Sequence, residues 1–445
     1  MRITPMGTVT QASEFWKNSD LSYEMNSISV IGLGYVGLPT AAMIANRGYQ
    51  VIGVDVDPIV VAAITRGETP LVEPDLDQLV RSAVSSGNLK AVFKPEPADV
   101  FIISVPTPFK NGNIPDLSYI ETAVKTLAPV LSIGNLIIIE STSPVGTTEK
   151  IRDWLSKFRP DLSMPGKTAH QDVYIAHSPE RVLPGRVLLE LAENDRVIGG
   201  ITPICAEKAA SFYQQFVNGT CHVTDAQTAE FVKLAENAYR DTNIAFANEL
   251  SLLCEKLNIN VWNMLELANR HPRVNILKPG PGVGGHCIAV DPWFLVASAP
   301  NLTPLIQAAR SVNNQKPKTV VEQIMSRVVE INAKTISFLG LAYKANIDDL
   351  RESPAVEIVI KTSEIFNGDV FVCEPNVTDL PLSLKSSKNI KLSSVDRCLD
   401  VADIVVLLTD HREFAQISSD SLANKSIIDT RGVWKTLLTK VTNDG

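Results

Sequence analysis

The chain has 445 residues, which is too long for one ordinary hydrophobic core, so we expect two or three domains. Hydrophobic residues at 45% and charged residues at 20% are typical of a soluble globular protein, and the net charge of −8 argues against nucleic acid or an anionic membrane as a partner. No run of the chain reaches the roughly 18 apolar residues that a membrane span needs.

The first 25 residues are mostly polar, so we interpret residues 1–25 as a disordered extension and not as a signal peptide. The six cysteines include no C-x-x-C pair and the six histidines no H-x-x-x-H spacing, so neither a disulfide framework nor a metal site is predicted. A reducing cytoplasm is the expected compartment. Five cysteines stand near apolar residues and are predicted to be small core residues: Cys205, Cys221, Cys254, Cys373 and Cys398.

The first structured segment has the order of a dinucleotide-binding unit. The β-branched run Ser27–Ile31 leads into G-L-G-Y-V-G at residues 32–37, an Ala-rich helical stretch at 38–45, and a second strand at 51–54 that is closed by Asp55. The glycines bring backbone N–H groups and a helix N-terminus against a pyrophosphate. Asp55 can accept both ribose hydroxyls and would repel a 2′-phosphate, which favours NAD over NADP.

Further strand-and-helix units follow. The apolar strands at 100–104, 136–140 and 173–177 run into V-P-T-P, S-T-S-P-V-G and S-P-E-R-V-L-P-G. Such near-continuous apolar strands predict a parallel sheet that is covered by helices on both faces. Ligands bind beyond the carboxyl ends of the strands in these sheets, although turn chemistry alone also explains each Ser, Thr or Pro taken singly.

A long helix is predicted from residue 225 to about residue 256, because this stretch has no Pro or Gly and is apolar over most of its circumference. Lys233, Asn237 and Arg240 recur at i, i+4 and i+7 and share one face. A solvated stripe is the simple alternative. If the helix is buried between domains or subunits, this row needs partners, and a substrate phosphate or a thiolate would serve.

The stretch at 280–292, G-P-G-V-G-G-H-C-I-A-V-D-P, frames a single thiol with glycines and places a carboxylate four residues later. Glycines at this density let a ligand approach the backbone, and a thiolate is the strongest side-chain nucleophile. Cys287 is therefore a candidate nucleophile with Asp291 nearby. A surface loop with an incidental cysteine is an equally consistent interpretation of this stretch alone.

The carboxy-terminal part repeats the pattern of strand and glycine turn, beginning with the strand Thr335–Leu339. It lacks a full G-x-G-x-x-G, so we expect a second α/β domain that binds a different nucleotide. Lys344, Arg351 and Arg431 follow strand ends and can bind phosphate, although each taken singly is also consistent with a solvated surface charge. The expected division is an extension at 1–25, an NAD domain at 26–222, a central helical domain at 223–320 and a nucleotide-sugar domain at 321–445.

With these motifs placed, the chain from residue 27 to its end resembles the UDP-glucose/GDP-mannose dehydrogenase family of nucleotide-sugar 6-dehydrogenases. The resemblance is carried by G-L-G-Y-V-G-L-P, V-P-T-P, S-T-S-P-V-G, S-P-E-R-V-L-P-G, K-L-A-E-N, G-G-H-C and N-I-D-D-L-R-E-S-P. It implies two Rossmann-like doubly wound domains joined by a long central helix, NAD as cofactor, a UDP-sugar as substrate, and a homodimer formed around that helix.

The resemblance also implies roles for individual residues. The glycine motif and its neighbours would bind NAD: Gly32, Gly34, Tyr35, Val36, Gly37, Asp55, Thr107, Thr142 and Arg351. The nucleotide sugar would be held by Arg181, Val182, Lys233, Asn237, Arg240, Gly284, Tyr343, Lys344 and Arg431, with His271 and Arg273 reaching the site of a partner subunit.

The implied reaction takes a sugar CH₂OH to a carboxylate with two NAD and one water, yielding a precursor for polysaccharide synthesis. Lys233 is the expected base for the hydroxyl proton, and Cys287 is expected to form a thiohemiacetal whose oxyanion Lys233 and Asn237 stabilise. Asp291 would orient the water that hydrolyses the resulting thioester.

The sugar is expected to be a UDP-N-acetylhexosamine, with UDP-N-acetyl-D-mannosamine first, and UDP-GlcNAc, UDP-GalNAc and UDP-glucose as alternatives. UDP-glucose enzymes carry a Lys three residues after the nucleophile, where this chain has Val290. Two other classes remain open on the residues alone. A two-electron hydroxy-acid dehydrogenase would need neither the thiol nor the second α/β domain, and a non-catalytic NAD or nucleotide-sugar sensor would not need Lys233, Asn237, Cys287 and Asp291 together.

Overall fold

The computed structural model describes residues 25–434 except 72, 111, 169, 184, 286, 386 and 388. The predicted disordered extension therefore lies, apart from Met25, outside the described residues. Within the described ranges no helix combines the length and the apolar character that crossing a membrane requires. In the same part of the chain, no group of three or more His, Cys, Asp and Glu side chains is arranged to hold a metal ion.

The amino-terminal domain is built on an eight-stranded sheet with the order β10-β9-β8-β7-β4-β1-β2-β3. Its central strands are buried apolar runs, which explains why helices cover both faces. A short hairpin, β5–β6, lies outside the sheet. The strands are β1 (Ser27–Ile31), β2 (Gln50–Val54), β3 (Leu89–Val92), β4 (Val100–Ile103), β5 (Phe109–Lys110), β6 (Ile114–Pro115), β7 (Leu136–Ile139), β8 (Tyr174–His177), β9 (Arg196–Gly200) and β10 (Cys221–Asp225).

The helices in the described part of this domain connect the strands. They are α1 (Gly37–Asn46), α2 (Pro58–Thr65), α3 (Leu76–Ser85), α4 (Ser118–Leu127), α5 (Thr147–Phe158), α6 (Val187–Glu193) and α7 (Pro203–Tyr213). One hydrophobic cluster lies under α1, α3 and α7, and a second lies under α4 and α5 on the opposite face of the sheet.

One pairing in this sheet departs from the predicted parallel arrangement. β8 and β9 are antiparallel, with Ala176 opposite Gly200 and His177 opposite Gly199. The connection between them contains only the seven-residue helix α6, and the chain does not cross the sheet to start a parallel strand. Strands β3, β9 and β10 are absent from the predicted elements because their sequences are short and interrupted by polar or glycine residues.

The central part consists of α8 (Ala226–Lys256), α9 (Val261–Ala268), α10 (Asp291–Ser298) and α11 (Pro304–Ile331). The predicted long helix is confirmed as α8, and Asp225 caps it by accepting a hydrogen bond of 2.8 Å from the N–H of Thr228. Helix α11 packs along α8, and Arg310 of α11 lies 2.7 Å from the Asp241 carboxylate of α8.

Within the single chain α8 is buried on one side, so its predicted burial between domains or subunits stays a prediction. One face is buried against the rest of the chain, whereas the aromatic and leucine side chains of another face are at least half exposed. These exposed residues, which we call the apolar face of α8, are Phe231, Tyr239, Phe246 and Leu253, together with Leu257 directly after the helix.

The carboxy-terminal domain has a five-stranded parallel sheet with the order β13-β12-β11-β14-β15. The strands are β11 (Thr335–Leu339), β12 (Asp369–Cys373), β13 (Ile390–Leu392), β14 (Ile404–Leu407) and β15 (Ser426–Asp429). The accompanying helices are α12 (Pro354–Ile365), α13 (Leu382–Lys385), α14 (Val395–Val401) and α15 (Ser419–Leu422). The predicted pair of doubly wound domains with a long helix between them is therefore confirmed.

All six cysteines are free thiols. Five of them are buried, as predicted, and Cys287 is exposed. Cys287 is therefore the cysteine that a ligand can reach.

Candidate active site

The glycine loop at 32–37 forms a tight turn between β1 and α1. Gly32 has φ +94° and donates its N–H to the carbonyl of Val54 at 2.8 Å, while a Cβ on Gly37 would collide with the Gly32 carbonyl. Asp55, directly after β2, accepts the N–H of Leu33 at 2.8 Å. The α1 N-terminus and the acid thus face one site, which fits the pyrophosphate and ribose of NAD.

Two threonines lie beside each other at the carboxyl ends of β4 and β7. The Thr107 hydroxyl donates to the Thr142 carbonyl at 2.5 Å, so V-P-T-P and S-T-S-P-V-G are tied together. The hydroxyl of Ser141 adds a second tie by donating to the Val105 carbonyl at 2.8 Å. The structure therefore brings Thr107 and Thr142 to the sheet edge that also carries the glycine loop.

The stretch at 280–292, which we call the thiol loop, places Cys287 in a turn at the start of α10. There the N–H of Asp291 donates to the Cys287 carbonyl at 2.9 Å. The amide Nδ2 of Asn237 donates to Oδ2 of Asp291 at 2.5 Å. Lys233, one turn earlier on α8, is buried beside them. The four side chains predicted to be catalytic are thus gathered at one place.

Electrostatics couple these groups. Desolvation by the protein atoms around the Cys287 sulfur raises the pKa of its thiol, and the Asp291 carboxylate raises it further. The positive charges of Lys233 and Arg351 oppose both effects. Burial raises the pKa of Asp291 to about 6, against the opposing effects of Lys233 and of the hydrogen bond from Asn237. The thiol is therefore mostly protonated at neutral pH, and the nearby cations favour its ionised form.

The carboxy-terminal domain closes the site from the other side. The guanidinium of Arg351 lies over the ring of Tyr35 and forms two hydrogen bonds, of 2.8 and 2.7 Å, with the carboxylate of Asp349. Burial is the first cause that raises the pKa of Tyr343 to about 12, and the charges of Asp349 and Cys287 add to it. Arg351 and Tyr343 thus stand near the thiol, and Tyr35 lies under the Arg351 guanidinium.

The thiol loop packs closely against this domain because two positions lack a side chain. A Cβ on Gly284 would meet the backbone carbonyl of Glu352, and a Cβ on Gly285 would lie 2.9 Å from the Tyr343 ring. Gly285 also has φ +80°, a conformation that other residues rarely adopt.

Two of the arginines predicted to hold the nucleotide sugar, Arg431 and Arg181, form ion pairs. Arg431 ion-pairs with Asp410 at 2.7 Å and lies against Gly280, so it stands at the start of the thiol loop. Arg181 ion-pairs with Glu236 of α8 at 2.7 Å, and Val182 follows it, half-buried.

Two further residues predicted to hold the nucleotide sugar, Lys344 and Arg240, lie at or near the space between the domains. Lys344, with Arg186, borders a cleft of about 860 Å³ that separates the amino-terminal and carboxy-terminal domains. Partial burial lowers the pKa of Lys344; Glu190 and Glu73 oppose this effect, and Arg240 and Arg186 add to it. Arg240, exposed on α8, therefore lies near Lys344.

His271 and Arg273 are exposed after α9. The N–H of Arg273 donates to Nδ1 of His271 at 3.4 Å. Their reach to a partner subunit stays a prediction.

Three loop-anchoring side chains were not identified from the motifs. Glu73 accepts the N–H groups of Gly185 and Val187 at 2.8 and 2.7 Å. Glu230 and Asn248 of α8 likewise bind loop backbone. The signal that points to the latter two is their spacing on α8, which places them on the face of Asn237.

A dinucleotide site, a thiol between an amine and a carboxylate, and a second nucleotide-type domain closing over them define an NAD-dependent dehydrogenase of nucleotide-linked substrates. The comparisons with known proteins agree. Models of the UDP-glucose/GDP-mannose dehydrogenase family match its NAD binding domain at residues 26–217, its central domain at 227–315 and its UDP binding domain at 337–436. The chain belongs to the UDP-glucose/GDP-mannose dehydrogenase family, as the resemblance predicts.

Individual relatives span nearly the whole chain. An NDP-N-acetyl-D-galactosaminuronic acid dehydrogenase of Ralstonia nicotianae is 54% identical over 93% of this chain and 97% of its own. A UDP-N-acetyl-D-mannosamine dehydrogenase of Campylobacter jejuni is 55% identical over 90% of this chain and 99% of its own. The solved UDP-D-ManNAc dehydrogenase of Pyrococcus horikoshii is 40% identical with a TM-score of 0.82, covering 92% of this chain and 96% of its own. The predictions of NAD as cofactor and of an oxidoreductase are thereby confirmed.

Proposed function

We propose that this protein oxidises the C6 hydroxyl of a UDP-N-acetylhexosamine to a carboxylate through a covalent intermediate on Cys287. The observation that carries the proposal is the gathering of the only exposed thiol with Lys233, Asn237 and Asp291. A simple alcohol dehydrogenase needs a base but no nucleophile. A thiol is needed because a free aldehyde has no alkoxide to drive out a second hydride.

The side chains gathered at the thiol have different roles in the proposed reaction. Lys233 takes the proton of the C6 hydroxyl, and NAD, when bound, accepts the hydrides of both oxidations. The Cys287 sulfur adds to the aldehyde, giving a thiohemiacetal whose oxyanion faces the Lys233 ammonium and an amide hydrogen of Asn237. Loss of the second hydride leaves a thioester. Asp291 orients the water that adds to the thioester carbonyl, which releases the carboxylate and restores the thiol.

The three parts of the chain carry separate tasks in this scheme. We assign NAD binding to residues 26–222, the catalytic loop and helix to 223–320, and UDP binding to 321–445. The matches of the three family models support this division. The reaction is placed in the cytoplasm, where free thiols persist and nucleotide-sugar precursors for polysaccharides are made.

The preferred sugar is UDP-N-acetyl-D-mannosamine, because UDP-N-acetyl-D-mannosamine dehydrogenases recur among the close relatives and solved structures. UDP-GalNAc is the second candidate, because a relative of similar identity is named for the galactosaminuronic acid. UDP-GlcNAc and UDP-glucose complete the panel. These sugars differ at C2 and C4, where pocket contacts discriminate by about 1–3 kcal/mol.

The deciding experiment follows NADH release with each of the four UDP-sugars. Two NADH per sugar and a uronate product are expected with UDP-N-acetyl-D-mannosamine. The Cys287→Ser variant should still bind the nucleotide but should not release the uronate. One NADH per sugar with free aldehyde as the product, or a normal uronate yield from Cys287→Ser, would overturn the mechanism.

We also propose a homodimer that buries the apolar face of α8. An exposed row of aromatic and leucine side chains on a 31-residue helix marks an interaction surface. The partner that we propose for this row is a second copy of the chain, and the exposed His271 and Arg273 would reach the active site of that copy, as the family resemblance implies.

A further inference from the structure

A buried polar stripe runs along α8 on the side that faces the active site. It consists of Glu230, Asn237, Asp241 and Asn248, whose side chains are between 0% and 7% exposed. Their spacings of seven, four and seven residues keep them within about 20° of one line along the helix, over about 27 Å. Burying a polar side chain costs folding free energy unless the side chain is hydrogen-bonded, so each residue of the stripe is expected to have a hydrogen-bond partner.

At the amino-terminal end, Glu230 binds the loop that carries Thr142. Its carboxylate accepts the N–H groups of Gly146 and Thr148 at 2.6 and 2.7 Å and the Thr148 hydroxyl at 2.6 Å. These donors form the start of α5, where a carboxylate is favoured by the helix dipole. Glu230 therefore fixes the position of the S-T-S-P-V-G loop relative to α8.

At the other end, Asn248 binds the start of the thiol loop. Its Oδ1 accepts the N–H of Gly280 at 2.9 Å, and its Nδ2 donates to Oδ1 of Asn313 at 2.9 Å. Asn313 in turn donates to Asp241 at 2.8 Å. Since Asn237 holds Asp291 beyond the thiol, both ends of the thiol loop are attached to the same helix.

The stripe therefore fixes the distance between the loop that carries Thr142 and the loop that carries Cys287, and the reaction depends on this distance. The S-T-S-P-V-G loop and the thiol loop belong to different parts of the chain. Both loops are hydrogen-bonded to the same rigid element, α8. Reaction rates fall steeply when reacting groups are misplaced by as little as about 1 Å, so anchors of this kind are expected to affect rate before they affect affinity.

We propose that Glu230 and Asn248 are positioning residues. Glu230 positions the S-T-S-P-V-G loop, and Asn248 positions the thiol loop. The inference rests on the proposed function, because it takes Cys287 as the nucleophile. Neither side chain touches the substrate. Each acts through the backbone of its loop.

The test compares two variants by readouts that belong to different loops. Glu230→Gln keeps the length of the side chain and turns an NH₂ group toward a backbone donor. It should slow the first hydride transfer in a single turnover by about tenfold or more, with an unchanged rate of Cys287 alkylation by iodoacetamide. Asn248→Ala should change that alkylation rate severalfold and slow release of the second NADH, with an unchanged KM for NAD.

Matched controls are Glu322→Gln and Asn301→Ala, which make the same changes at exposed positions and should alter neither readout. If Asn248→Ala does not fold, Asn248→Asp retains an acceptor for the Gly280 N–H and should give an alkylation rate close to that of the unaltered protein. Equal losses in both readouts for both variants, in step with a lower Tm, would overturn the inference, as would no effect. Failure of the proposed function is distinct, because the unaltered protein would then release one NADH per sugar.

Discussion

The Arg351 guanidinium lies 5.0 Å from the centre of the Tyr35 ring. Tyr35 belongs to the glycine loop of the amino-terminal domain and Arg351 to the carboxy-terminal domain, so this contact joins the two nucleotide-binding domains at the thiol. Asp349 fixes the position of the guanidinium by two hydrogen bonds. We therefore predict that a side chain from the opposite domain completes the cofactor site.

Replacing Arg351 by lysine tests this relationship. Lysine keeps the charge but cannot form the paired hydrogen bonds with Asp349 or stack on the Tyr35 ring. We expect KM for NAD to rise about tenfold, equivalent to about 1.4 kcal/mol, with KM for the UDP-sugar nearly unchanged. Arg327→Lys, at an exposed ion pair with Glu330, is the control. An unaltered KM for NAD would remove Arg351 from the cofactor site.

The Asp291→Asn variant should separate hydrolysis from oxidation. Because the pKa of Asp291 is raised to about 6, the carboxylate that orients water is present above that pH and lost below it. The hydrolysis rate should therefore rise with pH through about 6. In Asp291→Asn the thioester should accumulate, detectable by mass spectrometry of the intact protein, and this pH dependence should vanish. Steady uronate release from the variant would contradict the role.

The same substitution should change stability in a defined pH window. The folded pKa of about 6 lies above the unfolded value near 3.9, so ionisation of Asp291 opposes folding progressively from about pH 4 to pH 6 and fully above it. Asp291→Asn removes this cost. We expect the variant to be more stable at pH 7.5, by on the order of 2 kcal/mol, and equally stable near pH 3.5. Urea titrations at the two pH values measure the difference.

Lys233→Met should make the thiol less reactive as well as remove the base. The Lys233 ammonium lowers the pKa of Cys287, whereas desolvation by the surrounding protein and the Asp291 charge raise it, so loss of the ammonium reduces the thiolate fraction at pH 8. Alkylation by iodoacetamide should slow severalfold, and its pH profile should move to higher pH. Lys256→Met, exposed in the last turn of α8, is the control. A pH profile that stays in place would show that the amine does not act on the thiol.

Gly285→Ala tests the packing of the thiol loop on Tyr343. The substitution adds a Cβ against the ring at a φ of +80°, so the loop must shift. We expect at least a tenfold loss of kcat. Gly112→Ala has a similar φ of +78° but open space around its Cβ, and should be destabilised by about 1 kcal/mol with full activity. Equal kcat values in the two variants would argue against tight packing as the reason for this glycine.

Phe246→Glu tests the homodimer. Phe246 lies in the apolar face of α8 and is 51% exposed in the single chain, so a charge there is harmless to a monomer and disruptive in a buried interface. Light scattering should report a dimer for the unaltered protein and a monomer for the variant. The same mass for both proteins would place any interface elsewhere.

Local sequence patterns determined much of this protein. The order of strand, glycine turn, helix and Asp55 specifies a dinucleotide site because each part acts on residues close in sequence. Helix α8 was predictable to within a residue, since an uninterrupted apolar pattern and the cap at Asp225 are both local. The motifs also single out Cys287, Lys233, Asn237 and Asp291 as candidates.

The tertiary structure decided what these residues meet. No local pattern pairs Asn237 with Asp291, 54 residues away, or Glu230 with the N–H of Gly146, 84 residues away. The antiparallel β8–β9 pair depends on the path of a whole connection. The pKa of Asp291 depends on its burial and on Lys233 and Asn237, which are distant in sequence. Sequence periodicity reports which face of an element is apolar, whereas contacts, burial and charge arise only when distant segments pack together.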